Sequence, residues 1–299
     1  MKTMKTTWLL ADAGSTKTEW SLWKGDSKVS TFQTQGINPY TQAKEQIENI
    51  LKSELMPHVR ENHVNTVFFY GAGCSSTVQV SIVKTVLTGK FPYADITIEH
   101  DLKGAAHGLF GTEPGIVMIL GTGSNSCVWS GKEIIAEVPN LGYILGDEGS
   151  GSYLGKILVR DFIYDNMPSQ ISEYLSDTLE LTRTEILSRV YKSPNPNRWL
   201  AALVLVLSHF KHEEYTQKVI SASFDDFFRY NISRYKKYRD HSYSAAMTLG
   251  SVGSVGFYFK DELNVVAKNY GFQLEKILKS PMAGLEQFCL SQITPCPNE

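Results

Sequence analysis

Apolar residues recur along this chain in two rhythms. Short runs that are wholly apolar or strictly alternating predict strands, and runs repeating at three and four residues predict helices. Trp8-Leu-Leu-Ala-Asp12 predicts a buried strand stopped by Gly14. Thr18-Glu-Trp-Ser-Leu-Trp23 alternates in polarity and ends at Lys24-Gly25-Asp26, and Val29 to Thr34 predicts a third strand. Ala43, Ile47, Ile50, Leu51 and Leu55 share one helical face and predict a helix over 41–58. A strand at Thr66–Tyr70, a helix at Ser75–Leu87, a strand at Asp95–Glu99 and a helix at Leu102–Phe110 complete the first half.

The same rhythm then restarts. Gly115–Leu120 is an apolar strand stopped by Gly121-Thr-Gly123, Ser126–Trp129 is a second, turned at Ser130-Gly131-Lys132, and Glu133–Val138 is a third. From Ser150 onward the pattern is helical, over 152–165, 169–177, 182–191, 196–211, 213–237 and 257–270. One strand, Ala245–Leu249, interrupts these helices and stops at Gly250. The unit strand, glycine turn, strand therefore occurs twice, about 110 residues apart, as an internal repeat. The chain reads as an α/β protein of two similar halves.

The two turns carry the candidate chemistry. The first is Asp12-Ala-Gly-Ser-Thr-Lys-Thr18 and the second Gly121-Thr-Gly-Ser-Asn125. A glycine lets the backbone approach a ligand closely, and successive amides with Ser or Thr hydroxyls suit an anion. Two such hairpins could hold a triphosphate from both sides. Other phosphate motifs fail: Gly14-Ser-Thr-Lys-Thr lacks the first glycine of a P-loop and leads into a strand, not a helix. Gly71-Ala-Gly-Cys-Ser-Ser lacks the third glycine of the dinucleotide fingerprint.

Asp12-Ala-Gly-Ser-Thr-Lys-Thr18, Asp101, Gly121-Thr-Gly-Ser-Asn125, Gly146-Asp-Glu-Gly-Ser150 and Leu249-Gly-Ser-Val252 stand in an order and spacing that resemble the N-acetylglucosamine kinases. These fall in the BadF/BadG/BcrA/BcrD-type ATPase group, within the superfamily of sugar kinases, heat-shock ATPases and actin. The resemblance covers nearly the whole chain. It implies two ribonuclease H-like, actin-like ATPase domains with an inter-domain cleft. The domains would be 1–110 and 111–280, with a closing helix at about 281–299 packing back on the first.

The resemblance also implies residue roles. Asp12 would serve Mg²⁺, through water. Gly14, Ser15, Thr16, Lys17, Thr18, Gly121, Thr122 and Gly123 would contact ATP phosphates, and Gly250 and Ser251 the adenosine. Lys17 faces either phosphate or solvent. Asp101 would be the general base for the sugar 6-hydroxyl; its plainer reading is a helix N-cap. Asn38, Ser124, Asn125, Gly142 and Asp147, with Asp101, would meet the sugar, although Asn38 also suits a turn before Pro39. Some relatives carry Gly-Trp-Gly where this chain has Asn140-Leu141-Gly142, so one wall of the sugar pocket differs. Glucosamine and N-acetylmuramic acid therefore stand beside N-acetylglucosamine as acceptors. Two other readings are an ATPase activator of a radical 2-hydroxyacyl-CoA dehydratase and a non-catalytic sugar-binding regulator.

Composition narrows the partners. Of 299 residues, 29 are Lys or Arg and 31 Asp or Glu, so no global basic field draws nucleic acid or anionic lipid. With 42% hydrophobic and 20% charged residues the chain is globular, not disordered or coiled coil. Cys74, Cys127, Cys289 and Cys296 form no CxxC pair and suit reduced thiols in the cytoplasm. The apolar runs Trp8–Ala11 and Trp199–Leu207 are too short for a signal core and a membrane span. Arg234–Arg239 reads as a solvated helix face, as do His209 and His212, while Phe224, Phe227, Phe228 and Tyr230 read as core. Family habit suggests a homodimer.

Overall fold

In the computed structural model, which describes residues 6–59, 63–238 and 248–293, the first apolar run is strand β1 (Thr7–Ala13), and both its faces are covered. Leu9, Ala11 and Ala13 point one way. They join Trp20, Leu22, Val67 and Phe69 against the helical run 44–59 and helix Thr77–Lys90. Trp8 and Leu10 point the other way and join Tyr70 and the Met282, Leu285 and Cys289 side chains of helix Met282–Ile293. By the same alternation Asp12 falls on the Trp8–Leu10 face. A residue near the end of a buried strand thus brings its carboxylate to a sheet edge.

β2 (Lys17–Lys24), β3 (Ser27–Gln35), β4 (Thr66–Gly71) and β5 (Asp95–His100) complete the first sheet, in the order β3-β2-β1-β4-β5. The second sheet has β6 (Gly115–Leu120), β7 (Ser124–Trp129), β8 (Ile134–Glu137), β9 (Leu249–Val252) and β10 (Leu274–Leu278), in the order β10-β9-β6-β7-β8. In both sheets the central strand pairs antiparallel with the next strand of a hairpin and parallel with a later one. The repeat is therefore structural. One compact unit runs to Gly111 and takes up the segment from Pro281; the other spans Thr112–Ser280. The second unit's core gathers Ile116, Met118, Leu120, Leu154, Phe224, Phe227, Phe228 and Phe259. Among the described residues no helix is long and apolar enough to cross a membrane.

Several element boundaries differ from the pattern reading. β9 begins at Leu249 and continues through Gly250 and Ser251, so the turn comes at Gly253, whose φ is 121°. Ala245–Met247, expected in this strand, lie outside the described residues, as do Arg239 and Cys296. β10 was not expected at all. The long helices expected over 196–211, 213–237 and 257–270 break near Leu203, Asn231 and Phe259. At Phe259 the backbone leaves helical geometry while the ring stays fully buried, so packing overrides the helical pattern there.

Helix Met282–Ile293 is fastened to the first sheet by a buried polar chain. Glu286 accepts from Ser21 Oγ at 2.6 Å and from Lys28 Nζ at 2.6 Å, and Ser21 Oγ accepts from Trp23 Nε1 at 2.8 Å. Glu286→Leu leaves the buried Ser21 hydroxyl without its acceptor. The expected cost is about 1–3 kcal/mol, read as a lower Tm with sugar and nucleotide affinities unchanged.

Candidate functional site

In the first unit three carboxylates, Asp12, Glu19 and Asp101, lie near enough to act on one another. Asp12 lies opposite Glu19 on β2 and Tyr70 on β4. Burial, then the neighbouring charges of Asp101 and Glu19, push its carboxyl up to about 7, and Lys17 opposes them. Lys17 is exposed at the head of β2, yet near enough to Asp12 to act on it. Asp101 follows the end of β5 as the first residue of helix Asp101–Phe110, not as its N-cap, which is His100. Its Oδ1 accepts from Leu102 N at 2.9 Å and lies 3.2 Å from His100 Nε2. The Asp101 side chain keeps 25% exposure, enough for a substrate to reach it.

The raised Asp12 carboxyl gives a signed prediction. The folded protein holds this proton more tightly than the unfolded chain, so stability falls as pH rises from about 4 to about 7. Asp12→Asn lacks that penalty. Its Tm, measured without divalent cations, should match the wild type below pH 4 and exceed it increasingly towards pH 7.

The turn between β1 and β2 is held from behind by residues 36–38. Gly14 N donates to Lys17 O at 3.0 Å, so that amide closes the turn itself. Gly36 N donates to Thr16 O at 3.1 Å, Ile37 N to Thr18 Oγ at 3.2 Å, and Asn38 Nδ2 to Ser15 Oγ at 3.0 Å. Thr18, expected among the phosphate donors, is instead fully buried and turned inward onto Ile37. Ser15 is partly exposed and Thr16 exposed at the tip. Asn38 Oδ1 accepts from Tyr40 N at 3.0 Å, so Asn38 does form a turn around Pro39 while steadying Ser15. Gly36 was not foreseen as part of this site. Its signal was position alone: it directly follows the strand that backs the turn.

In the second unit the corresponding turn has the same self-closure, Gly121 N donating to Gly123 O at 3.0 Å. Gly121 O and Thr122 O accept from Gly151 N at 2.8 Å and Ser152 N at 3.0 Å, which docks the turn on the start of helix Gly151–Ile163. A side chain at Gly121 would meet no protein atom within 4 Å, so this face of the turn is open. Ser124 and Asn125 lie in β7 rather than in the turn. Asn125 is engaged locally, Nδ2 donating to Glu137 Oε1 at 3.2 Å and Oδ1 accepting from Ser126 N at 2.8 Å.

Asp147 is buried beside this turn in left-handed backbone, φ 60°. Its Oδ1 accepts from Ser124 N at 3.2 Å and Asn140 Nδ2 at 3.1 Å. Burial raises its carboxyl, while these two donors and Lys156 oppose the rise. Gly142, at φ 71°, donates its amide to Asn140 Oδ1 and begins a short helix, Gly142–Leu145. Gly250 and Ser251, expected as adenosine contacts where the strand stops, are buried inside β9, and the Ser251 hydroxyl has no hydrogen-bond partner among the described residues. Among the described residues no group of three or more His, Cys, Asp or Glu is placed to hold a metal ion. His209 stacks on Tyr174 at 5.1 Å, and Phe224, Phe227 and Phe228 are core, while Tyr230 is 48% exposed.

No family model matches the chain. A candidate N-acetylglucosamine kinase from Porphyromonas gingivalis, of known structure, is 37% identical over 96% of this chain and 99% of its own, with a TM-score of 0.89. Its counterpart from Chromobacterium violaceum is 16% identical over 95% of this chain and 99% of its own; at a TM-score of 0.72 the likeness is one of fold. The N-acetylmuramic acid/N-acetylglucosamine kinase of Clostridium acetobutylicum is 25% identical over 209 residues, 66% of this chain and 68% of that protein.

Proposed function

Since the chain belongs to the N-acetylglucosamine kinase family, with its two-domain actin-like ATPase fold, we propose that it transfers the γ-phosphoryl group of ATP to the 6-hydroxyl of N-acetylglucosamine or a closely related amino sugar. The observation that carries this reading is Asp101. It is a reachable carboxylate at the C-terminal end of a parallel strand, anchored through one oxygen and near a second carboxylate, Asp12. Ligands of α/β sheets bind at such strand ends.

Phosphoryl transfer asks a protein mainly for positioning and charge stabilisation. Asp101 would accept the 6-hydroxyl proton as the sugar oxygen forms its bond to Pγ and the bond from Pγ to the β-phosphate oxygen breaks, releasing ADP. Ser15, Thr16 and Lys17 in the first unit, and Gly121, Thr122 and Gly123 in the second, would bind phosphate. Asp147, Ser124 and Gly142 would bind the sugar, with Asn38 and Asn125 shaping the ground around it. Gly250 and Ser251 are buried, so the adenosine contact would fall to the turn that follows them at Gly253.

Asp12 and Asp101 are hard oxygen donors whose mutual repulsion a divalent cation would relieve. That donor set fits Mg²⁺, which keeps several waters and takes one or two carboxylates together with substrate phosphates. When bound, the ion would neutralise phosphate charge; Asp12 would hold it through water.

The test is a panel of N-acetylglucosamine, glucosamine, N-acetylmannosamine and N-acetylmuramic acid with ATP and Mg²⁺, following ADP release and the phosphorylated sugar. One or two sugars should support turnover. No turnover with any amino sugar would reject the reading, and tight sugar binding without turnover would favour a regulator.

A further inference from the structure

Among the described residues, Asn140 is the one side chain that ties Ser124, Gly142 and Asp147 together. Its Nδ2 donates both to Ser124 O and, at 3.1 Å, to Asp147 Oδ1, and its Oδ1 accepts from Gly142 N. Two donors and an acceptor on one short planar group are a property of the carboxamide alone. Aspartate in its place could accept from Gly142 but, when ionised, could donate to neither oxygen. A leucine of similar size could do none of it.

The result for Asp147 is an asymmetric carboxylate. Oδ1 is fixed by two protein donors, Ser124 N and Asn140 Nδ2. Oδ2 receives no hydrogen bond from the described residues and lies over Gly123, 2.9 Å from where a Cβ on that glycine would stand. Asp147 is 8% exposed, and its Oδ2, with no donor among the described residues, is open to one from outside, such as a ligand hydroxyl. The left-handed backbone at Asp147, rare for a residue with a side chain, is held in the same frame.

Building on the amino sugar kinase reading, we propose that Asn140 is a positioning residue for the acceptor: it fixes the rotation of the Asp147 carboxylate so that Oδ2 faces the sugar. Asn140 itself touches no substrate. It acts through Asp147 and through the Gly142 amide.

Three proteins test this: the wild type, Asn140→Leu and Asn140→Asp, each measured for sugar KM, ATP KM and kcat across pH. Asn140→Leu should raise the sugar KM by about 10- to 100-fold, the loss that accompanies one hydrogen bond to a charged group. The ATP KM should stay within about twofold, because no phosphate-turn contact is removed. In Asn140→Asp the introduced carboxylate must share a proton with Asp147, with Lys156 and Glu148 as the other charges acting on that group. Its sugar KM should be near the wild-type value at low pH and rise towards that of Asn140→Leu as pH increases. A merely structural role would lower Tm without this pH slope and without separating the two KM values. An unchanged sugar KM in Asn140→Leu, or a parallel rise in both KM values, overturns the proposal while wild-type activity leaves the kinase reading intact. A wild type that phosphorylates no amino sugar sinks the reading beneath it instead. Should Asn140→Leu not fold, the pH slope of Asn140→Asp decides alone, and its absence is a negative result.

Discussion

Asp101→Asn is expected to lower kcat by about 10²- to 10⁴-fold, the range that general base catalysis supplies, while nucleotide affinity is kept. The substitution is close to isosteric, and the backbone contact that places Asp101 survives it. An amide oxygen can still accept from Leu102 N, 2.9 Å away. The missing property is basicity. A protonated hydroxyl attacking phosphorus must shed its proton, and an amide does not take it. The variant also removes the charge that helps push the Asp12 carboxyl up, so Asp12 should ionise at lower pH. Single-turnover ADP release with the preferred sugar measures the chemical step, and nucleotide titration measures affinity. Turnover equal to wild type would remove Asp101 as the base, and a joint loss of affinity and rate would mean that the substitution disturbed the helix start instead.

The parts of this site that were legible in the sequence are those fixed by period and repeat. The alternation Trp8, Leu10, Asp12 sends the carboxylate to one face of β1, and two copies of the glycine hairpin mark equivalent turns. Hydroxyl direction was not legible. Thr18 and Ser251 stand in the right motifs, yet the strand pleat and packing point both inward. β10 escaped because Leu274-Glu-Lys-Ile-Leu278 is an edge strand with two exposed charged residues and a register shift against β9. Carrying the repeat through would have found it, since β10 stands to β9 as β5 stands to β4. Asn140 drew notice only as the neighbour of Leu141, where some relatives carry an indole. Its three hydrogen bonds depend on where Asp147 and Ser124 meet in space, which no spacing encodes.

Gly36→Ala and Gly121→Ala should fail in opposite ways, and the contrast tests both turns. At Gly36 a methyl group would stand 2.5 Å from Gly14 O and from the Ser15 carbonyl carbon and oxygen. All three are backbone atoms, so no side chain can swing aside to make room. The 36–38 segment must shift, and with it the bonds from Gly36 N to Thr16 O and from Asn38 Nδ2 to Ser15 Oγ. Overpacking of this kind destabilises by about 1–3 kcal/mol. A phosphate turn displaced by an ångström should also lose about 100-fold in kcat/KM for ATP. At Gly121 a methyl group meets open space and the backbone is not left-handed, so Ala should fold with unchanged or slightly higher Tm. The same methyl group would fill the open side proposed to receive phosphate, so the ATP KM should rise while the sugar KM holds. Melting curves and ATP titrations on the two variants separate the cases. A Gly121→Ala enzyme with the wild-type ATP KM would take that residue out of the phosphate set, and a Gly36→Ala protein of native stability and activity would mean that the turn does not depend on its backing.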